Sequence, residues 1–143
     1  MKYISILLLT IAALYTSTAS ASNCTGTLID YKRAYYRGEK VGELQLYYNS
    51  STGNNCATFF HSGSTWGKKL FTSVEVYVCK PSKYGNCGVW QWSPWWSRDD
   101  GWYLYRAGPV QVYGRDRCVQ AMGYLDIAGA TGADGVAVSG IHC

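Results

Sequence analysis

The sequence predicts one all-β domain, a disulfide-stapled β-sandwich or small barrel of about seven to eight short antiparallel strands. Three observations predict it. Apolar residues recur with a period of two and nowhere with a helical period. Turn-forming clusters fall about every 8–12 residues. The chain of 143 residues also carries six cysteines, an even set.

The elements follow in order. Val41 to Tyr48 (VGELQLYY) places Leu44, Leu46 and Tyr48 on one face of a strand. The turn-rich NSSTGNN comes next, and Cys56 to Phe60 is the expected return strand of a hairpin. Thr72 to Cys79 alternates cleanly, with Val74, Val76 and Val78 pointing one way and Ser73, Glu75 and Tyr77 the other. Gly88 to Trp92 is a further expected strand. Asp100-Gly101 is a tight-turn signal that leads into a strand over Trp102 to Arg106. Val110 to Tyr113 and Cys118 to Met122 are two more, joined by a GRDR turn. A small-residue loop, Gly129 to Gly135, precedes a last strand over Val136 to His142. No repeat or linker divides the chain, so residues 22–143 form a single β domain.

Residues 1–21 stand apart. Lys2 supplies a short positive region, Ile4 to Leu14 an apolar run, and Ala19-Ser20-Ala21 the small-residue pattern of a cleavage site. That is a secretory signal peptide, cut after Ala21. Its apolar run is shorter than the ~20 residues that span a bilayer, and no later stretch approaches that length. The expectation is a secreted, extracellular protein without a transmembrane segment.

In that compartment the cysteines are expected to form three disulfides. Cys79 and Cys87 flank a Pro/Gly segment and are expected to close a local loop. Cys118–Cys143 and Cys24–Cys56 are the pairs assigned to the rest, with other pairings left open. Zinc would need close cysteine pairs or histidines at ligand spacing, which the sequence lacks, and no cofactor is implied. The formal net charge is +4, but the basic residues are scattered. Lys32-Arg33, Lys68-Lys69 and Arg115/Arg117 are small clusters, not the basic stripe of a nucleic-acid binder. Asn23 and Asn49 open glycosylation sequons, the second in a turn.

Several segments resemble a known family. YYNSSTGNNCATF (47–59), DDGWYLYRAGPVQVYGRDRCVQAMG (99–123) and the closing VSGIHC (138–143) are similar to the spore-associated protein A family of small secreted actinobacterial proteins. The AGPV block with its flanking tyrosines is the most specific part. Met122-Gly123 stands where the family has a glycine pair, and the Cys79–Cys87 pair and the tryptophans of Trp90–Trp96 are additions to its core. The resemblance implies a disulfide-bonded protein of spore or cell surfaces, and it brings no catalytic residues with it.

Chemistry-bearing residues are few. Hydrolysis by paired carboxylates needs two acids facing one cleft, roughly 5 to 9.5 Å apart. Adjacent Asp99 and Asp100 read first as turn acids before Gly101; Glu39 and Glu43 as solvated acids; Glu75 as an outward strand acid. A hydrolase using Glu75, Asp99 or Asp100 is therefore the minor expectation, and a non-enzymatic protein the major one. His61 and His142 are the only histidines. The first reads as part of a polar loop, and the second is restrained beside Cys143. The glycine-rich AGATGADG (128–135) lacks the residues of a phosphate loop, and Asp126 and Asp134 match no full calcium motif.

The tryptophans carry most of the functional signal. Five of the six lie between Trp90 and Tyr105. Each indole N–H needs a partner when buried, so a domain of this size is expected to leave at least two exposed. Trp102 is expected in the core, and Trp95 and Trp96 at the surface. The expected binding patch is Trp92, Trp95, Trp96 and Tyr103 with Arg98 and Arg106, facing a glycan, wall polymer or surface protein. The alternative is a small cationic toxin or effector acting on membranes or on host or competitor targets.

Overall fold

Period-two alternation makes each strand a ribbon with two faces, and the fold follows from which face each ribbon buries. The computed structural model describes residues 24–80, 87–88, 94–127 and 135–143. Eight strands occur among them: β1 (Thr27–Tyr36), β2 (Glu39–Asn49), β3 (Asn54–His61), β4 (Leu70–Val78), β5 (Trp96–Tyr103), β6 (Arg106–Tyr113), β7 (Val119–Asp126) and β8 (Gly135–His142). All pair antiparallel in two four-stranded sheets. The first sheet runs β1-β2-β3-β6 and the second β5-β4-β7-β8. The protein is an all-β sandwich.

The core lies between the sheets. Leu44 and Leu46, Ala57 and Phe59, and Val110 and Val112 face it from the first sheet. Val74, Val76 and Val78 from β4 and Val119, Ala121 and Leu125 from β7 face it from the second. Phe59 is the largest fully buried side chain. Its ring lies against Gly42 and Gly123, where any Cβ would overlap it. The two glycines let a whole phenylalanine lie between the layers without parting them.

Three disulfides staple the sandwich: Cys24–Cys56, Cys79–Cys87 and Cys118–Cys143. The first clips the segment before β1 onto β3, leaving Cys24 Sγ 3.6 Å from Thr58 Oγ1. The last ties the start of β7 to the end of β8. Among the described residues no helix is long and apolar enough to cross a membrane.

Two local expectations change. β1 is an additional strand, carried by TLIDYKRAYY. Its residues lack a clean alternation because two register irregularities interrupt its pairing with β2. Asp100-Gly101 is no turn; both residues sit inside β5, opposite Ser73 and Thr72 of β4. Pairing along a full edge strand outweighs the local preference of an Asp–Gly step. The chain turns instead at Leu104–Tyr105, whose carbonyls accept from Gly67 N–H and His61 N–H at 2.9 and 2.8 Å. The signal peptide, and the expected strand at Gly88–Trp92 apart from a bridge between Gly88 and Lys80, lie outside the described residues. The loop at 128–134 does too.

Candidate functional site

Because β5 runs unbroken through Asp100-Gly101, its even-numbered residues share one face. Trp96, Arg98, Asp100 and Trp102 all point away from the core, on the outer side of the second sheet. Register extends this row across the sheet. Trp102 stands opposite Phe71, Asp100 opposite Ser73, Arg98 opposite Glu75, and Trp96 opposite Tyr77. On the far side of β4, Tyr124, Met122 and Gln120 of β7 stand opposite Ser73, Glu75 and Tyr77.

The face divides into an aromatic end and a polar strip. Phe71 meets Trp102 and Tyr124 edge-on, with ring centroids 6.0 and 6.4 Å apart. This geometry holds the rings in place and leaves Trp102 53% exposed. The polar strip is hydrogen-bonded within itself. Arg98 Nε donates to Asp100 Oδ1 at 2.9 Å, and the Trp96 indole N–H donates to Glu75 Oε2 at 3.1 Å. Trp96 and Trp102 lie six positions apart on one strand, about 20 Å at strand rise.

Beyond Trp102 the aromatic surface turns the corner. Leu104 and Tyr105 are 45% and 47% exposed, and Trp66, 57% exposed, packs on Tyr105 with centroids 4.8 Å apart. An open hollow of about 450 Å³ lies between Lys69, Trp102, Leu104, Tyr105 and Arg106.

The structure distributes the expected patch unevenly. Trp96 and Arg98 belong to the outer face, and Arg106 borders the hollow from β6. Trp95 packs against the core and carries the Arg117 guanidinium 4.8 Å from its ring centre. Tyr103 is half-buried against the core and also lines the hollow. Trp92 lies outside the described residues, as does Asn23. The expectation that Trp102 is a core residue is overturned, because an unbroken β5 gives it the outward parity of Trp96. Phe71, Tyr124, Trp66 and Tyr105 were not anticipated. Parity on β4 would have found Phe71, two residues before Ser73.

The acids do not converge. Asp99 points inward, where it accepts the Tyr103 hydroxyl at 2.7 Å and the Gly108 N–H at 2.6 Å. The hydrogen bond to Asp99 pushes the Tyr103 phenol up to about 12. Gly108 has φ of +90°, and a Cβ there would crowd the Ala57 carbonyl and Val74. The DDGWYLYRAGPV block is thus the corner at which β5 of one sheet is bolted to β6 of the other. Asp100 and Glu75 lie on the opposite face with Arg98 between them.

His61 is a core residue. It is fully buried, with Nδ1 3.2 Å from the Thr65 carbonyl and Nε2 2.7 Å from Thr72 Oγ1. The Thr65 carbonyl can only accept, so Nδ1 holds a proton; the single Thr72 hydroxyl proton is shared between Nε2 and the Leu70 carbonyl, 3.1 Å away. Burial lowers its pKa, against the raising effect of the Thr65 and Leu104 carbonyls. Asn49 is engaged as well, accepting from Ser51 and donating to Thr25 Oγ1 at 3.0 Å. Asp126 is buried at the end of β7. Among the described residues no three His, Cys, Asp or Glu side chains gather where they could hold a metal ion.

No family model matches the chain, nor does any curated protein or solved structure.

Proposed function

We propose that the protein is a non-enzymatic, secreted surface protein that holds a glycan or wall polymer on the outer face of its second sheet. The observation that carries this reading is Trp102, exposed on a paired strand and braced from one side by Phe71, which in turn meets Tyr124. A braced, bare ring gives a stacking surface whose ordering cost is already met by the fold. The Arg98–Asp100 and Glu75 strip beside it offers donors and acceptors to hydroxyl groups, and the run to Trp96 suits a chain of several sugar units. Three disulfides fit an oxidising extracellular setting. The resemblance of AGPV and its flanking tyrosines to spore-associated protein A supports a spore or cell-wall address.

The test is retention on insoluble wall polysaccharides. Trp102→Ala should lower retention about tenfold, the equivalent of ~1.4 kcal/mol, with the melting temperature nearly unchanged. Equal retention of wild type and Trp102→Ala would sink the reading.

A second reading, a cationic effector acting on membranes, is favoured by the corner, where Trp66, Leu104 and Tyr105 stand exposed beside Lys68 and Lys69. Apolar tips flanked by lysines suit an anionic bilayer surface. Leu104→Asp should then abolish binding to anionic vesicles. Absence of vesicle binding by the wild type would retire it.

A further inference from the structure

The Leu104–Tyr105 turn gathers charge as well as rings. Leu70 pairs with Tyr103 at the first rung of the β4–β5 ladder, and just before it Gly67 N–H donates to the Leu104 carbonyl. The two residues between these ties, Lys68 and Lys69, are therefore held beside the turn, and both are exposed. Arg106 opens β6 on the other side of the turn, opposite Phe60 of β3. One sheet thus brings Lys69 and the other Arg106 to the hollow, whose remaining wall is Trp102, Tyr103, Leu104 and Tyr105.

Lys68 and Lys69 are unlike the other basic side chains. Lys32 holds Asp30, Lys40 and Arg33 reach Glu43, and Arg98 holds Asp100. Arg37 and Arg117 lie over rings, and Arg115 donates to backbone carbonyls. Among the described residues the two corner ammonium groups have no such partner. No carboxylate lines the hollow either. Asp99 and Asp100 are close enough to act on Tyr103, but Asp99 accepts from the Tyr103 hydroxyl and the Gly108 N–H, and Asp100 from Arg98.

This lining selects by charge. A cation would meet two positive groups, and a neutral ring would cover the aromatic wall without using either. An anion on a sugar ring uses both, and a mostly apolar wall strengthens each ion pair relative to open water. Trp102 belongs to the hollow and also ends the outward row that starts at Trp96, so a chain laid along that row has a unit beside Lys69 and Arg106. We infer that the polymer is an acidic polysaccharide, and that Lys69 and Arg106 hold a carboxylate or phosphate of the unit stacked on Trp102. This rests on the outer face being the polymer site.

Calorimetry and affinity electrophoresis with matched polymers test it. Polygalacturonate and its methyl ester differ in the carboxylate, and a phosphorylated mannan and its dephosphorylated form differ in the phosphate. Polyacrylate carries charge without sugar, and phosphatidylglycerol vesicles carry phosphate in a bilayer. At least one charged polysaccharide should bind about tenfold tighter than its neutral match, with a preference that shrinks in salt, and the better of the two names the anion. Lys69→Gln should weaken the charged member about three- to fivefold and leave the neutral one unchanged, with Arg106→Gln acting in the same direction. Lys69→Arg should keep the preference, as should Lys32→Gln on the first sheet. Trp102→Ala should weaken charged and neutral members alike. Equal binding of charged and neutral members, equal losses from Lys69→Gln and Lys32→Gln, or binding of polyacrylate or vesicles as tight as that of the polysaccharide overturns the inference. If Trp102→Ala still lowers retention while polymer charge and Lys69 count for nothing, the inference fails and the outer-face reading stands. No binding of any polysaccharide ends both.

Discussion

The two outer faces of this sandwich have the same strand geometry and use it in opposite ways. On the first sheet, polar side chains are paired with one another, and the exposed Tyr31 ring lies under the Arg33 guanidinium, 5.2 Å from its centre. Lys40 Nζ lies 2.6 Å from Glu43 Oε2, Gln45 Nε2 donates to Glu43 Oε1 at 2.8 Å, and the Tyr47 hydroxyl donates to Gln45 Oε1 at 2.8 Å. Arg33 adds a longer contact to Glu43 at 3.8 Å. The Cys24–Cys56 disulfide lies against the same side, beside Thr58. On the second sheet, the rings of Trp102, Phe71 and Tyr124 brace one another and leave Trp102 bare. A face that keeps a rigid ring uncovered carries an unmet apolar surface, and that is the physical signature of a contact yet to be made.

The largest expected effect tests what holds the two faces in one body. Asp99→Ala removes the acceptor shared by the Tyr103 hydroxyl and the Gly108 N–H, and should cost about 1–3 kcal/mol in urea unfolding. Tyr103→Phe removes only one of the bonds and should cost about 1 kcal/mol. The pH dependence has a definite sign. A phenol raised in the folded state stabilises fully below its unfolded value of about 10 and loses that contribution as pH rises through about 12. The alkaline loss should therefore shrink in Tyr103→Phe. If Asp99→Ala unfolds at wild-type urea, β5 is held by its pairing with β4 alone.

Next comes the comparison itself. Trp102→Ala on the second sheet and Tyr31→Ala on the first each remove an exposed ring. Both should change stability by roughly 0.5 kcal/mol or less. Only Trp102→Ala should lower wall-polymer retention, about tenfold. Equal losses from both faces would mean that general aromatic stickiness, and not one braced ring, does the holding.

The fold was largely readable because alternation is a direct print of burial. Val74, Val76 and Val78 appear in the core as their spacing demands, and the three disulfides are the expected pairs, of which only Cys79–Cys87 followed from its position around a Pro/Gly segment. The site was readable only in part, and the reason is specific. Asp100-Gly101 carries a turn signal of local origin, whereas the continuity of β5 comes from pairing with β4, which is remote in sequence. Once the strand is broken at that point on paper, the shared parity of Trp96 and Trp102 is lost, and Trp102 is moved inside. Trp66 and Tyr105 meet only through the tertiary fold, so no local pattern links them.

A smaller effect comes from His61, on the inward row of the first sheet at the end nearest the corner. Its folded pKa is lowered by burial. The unfolded chain therefore takes up a proton near pH 6.5 that the folded ring resists. Stability should be complete above about pH 7 and decline as pH falls through that value. His61→Asn should flatten the decline, whatever its own cost at neutral pH. An unchanged slope would assign the acid sensitivity to other groups.

The smallest effect returns to the polar face. Burial raises the Glu43 carboxyl, but hydrogen bonds from Lys40 and Gln45 and the charges of Lys40 and Arg33 outweigh it and hold the group below its usual range. A lowered carboxylate stabilises above its unfolded value of about 4.3, and the contribution fades as pH falls below that. Glu43→Gln at neutral pH should therefore cost something, but only about 0.2–1 kcal/mol, since the pair is partly solvated. Added salt should shrink the difference further. The matching change on the other face, Arg98→Gln, breaks a more exposed pair with Asp100 and should cost less in stability. It should, however, reduce polymer retention, which Glu43→Gln leaves alone. If the two variants behave alike in both measurements, the polar strip beside Trp102 is as self-contained as the ladder on the first sheet, and the rings must hold the polymer by themselves.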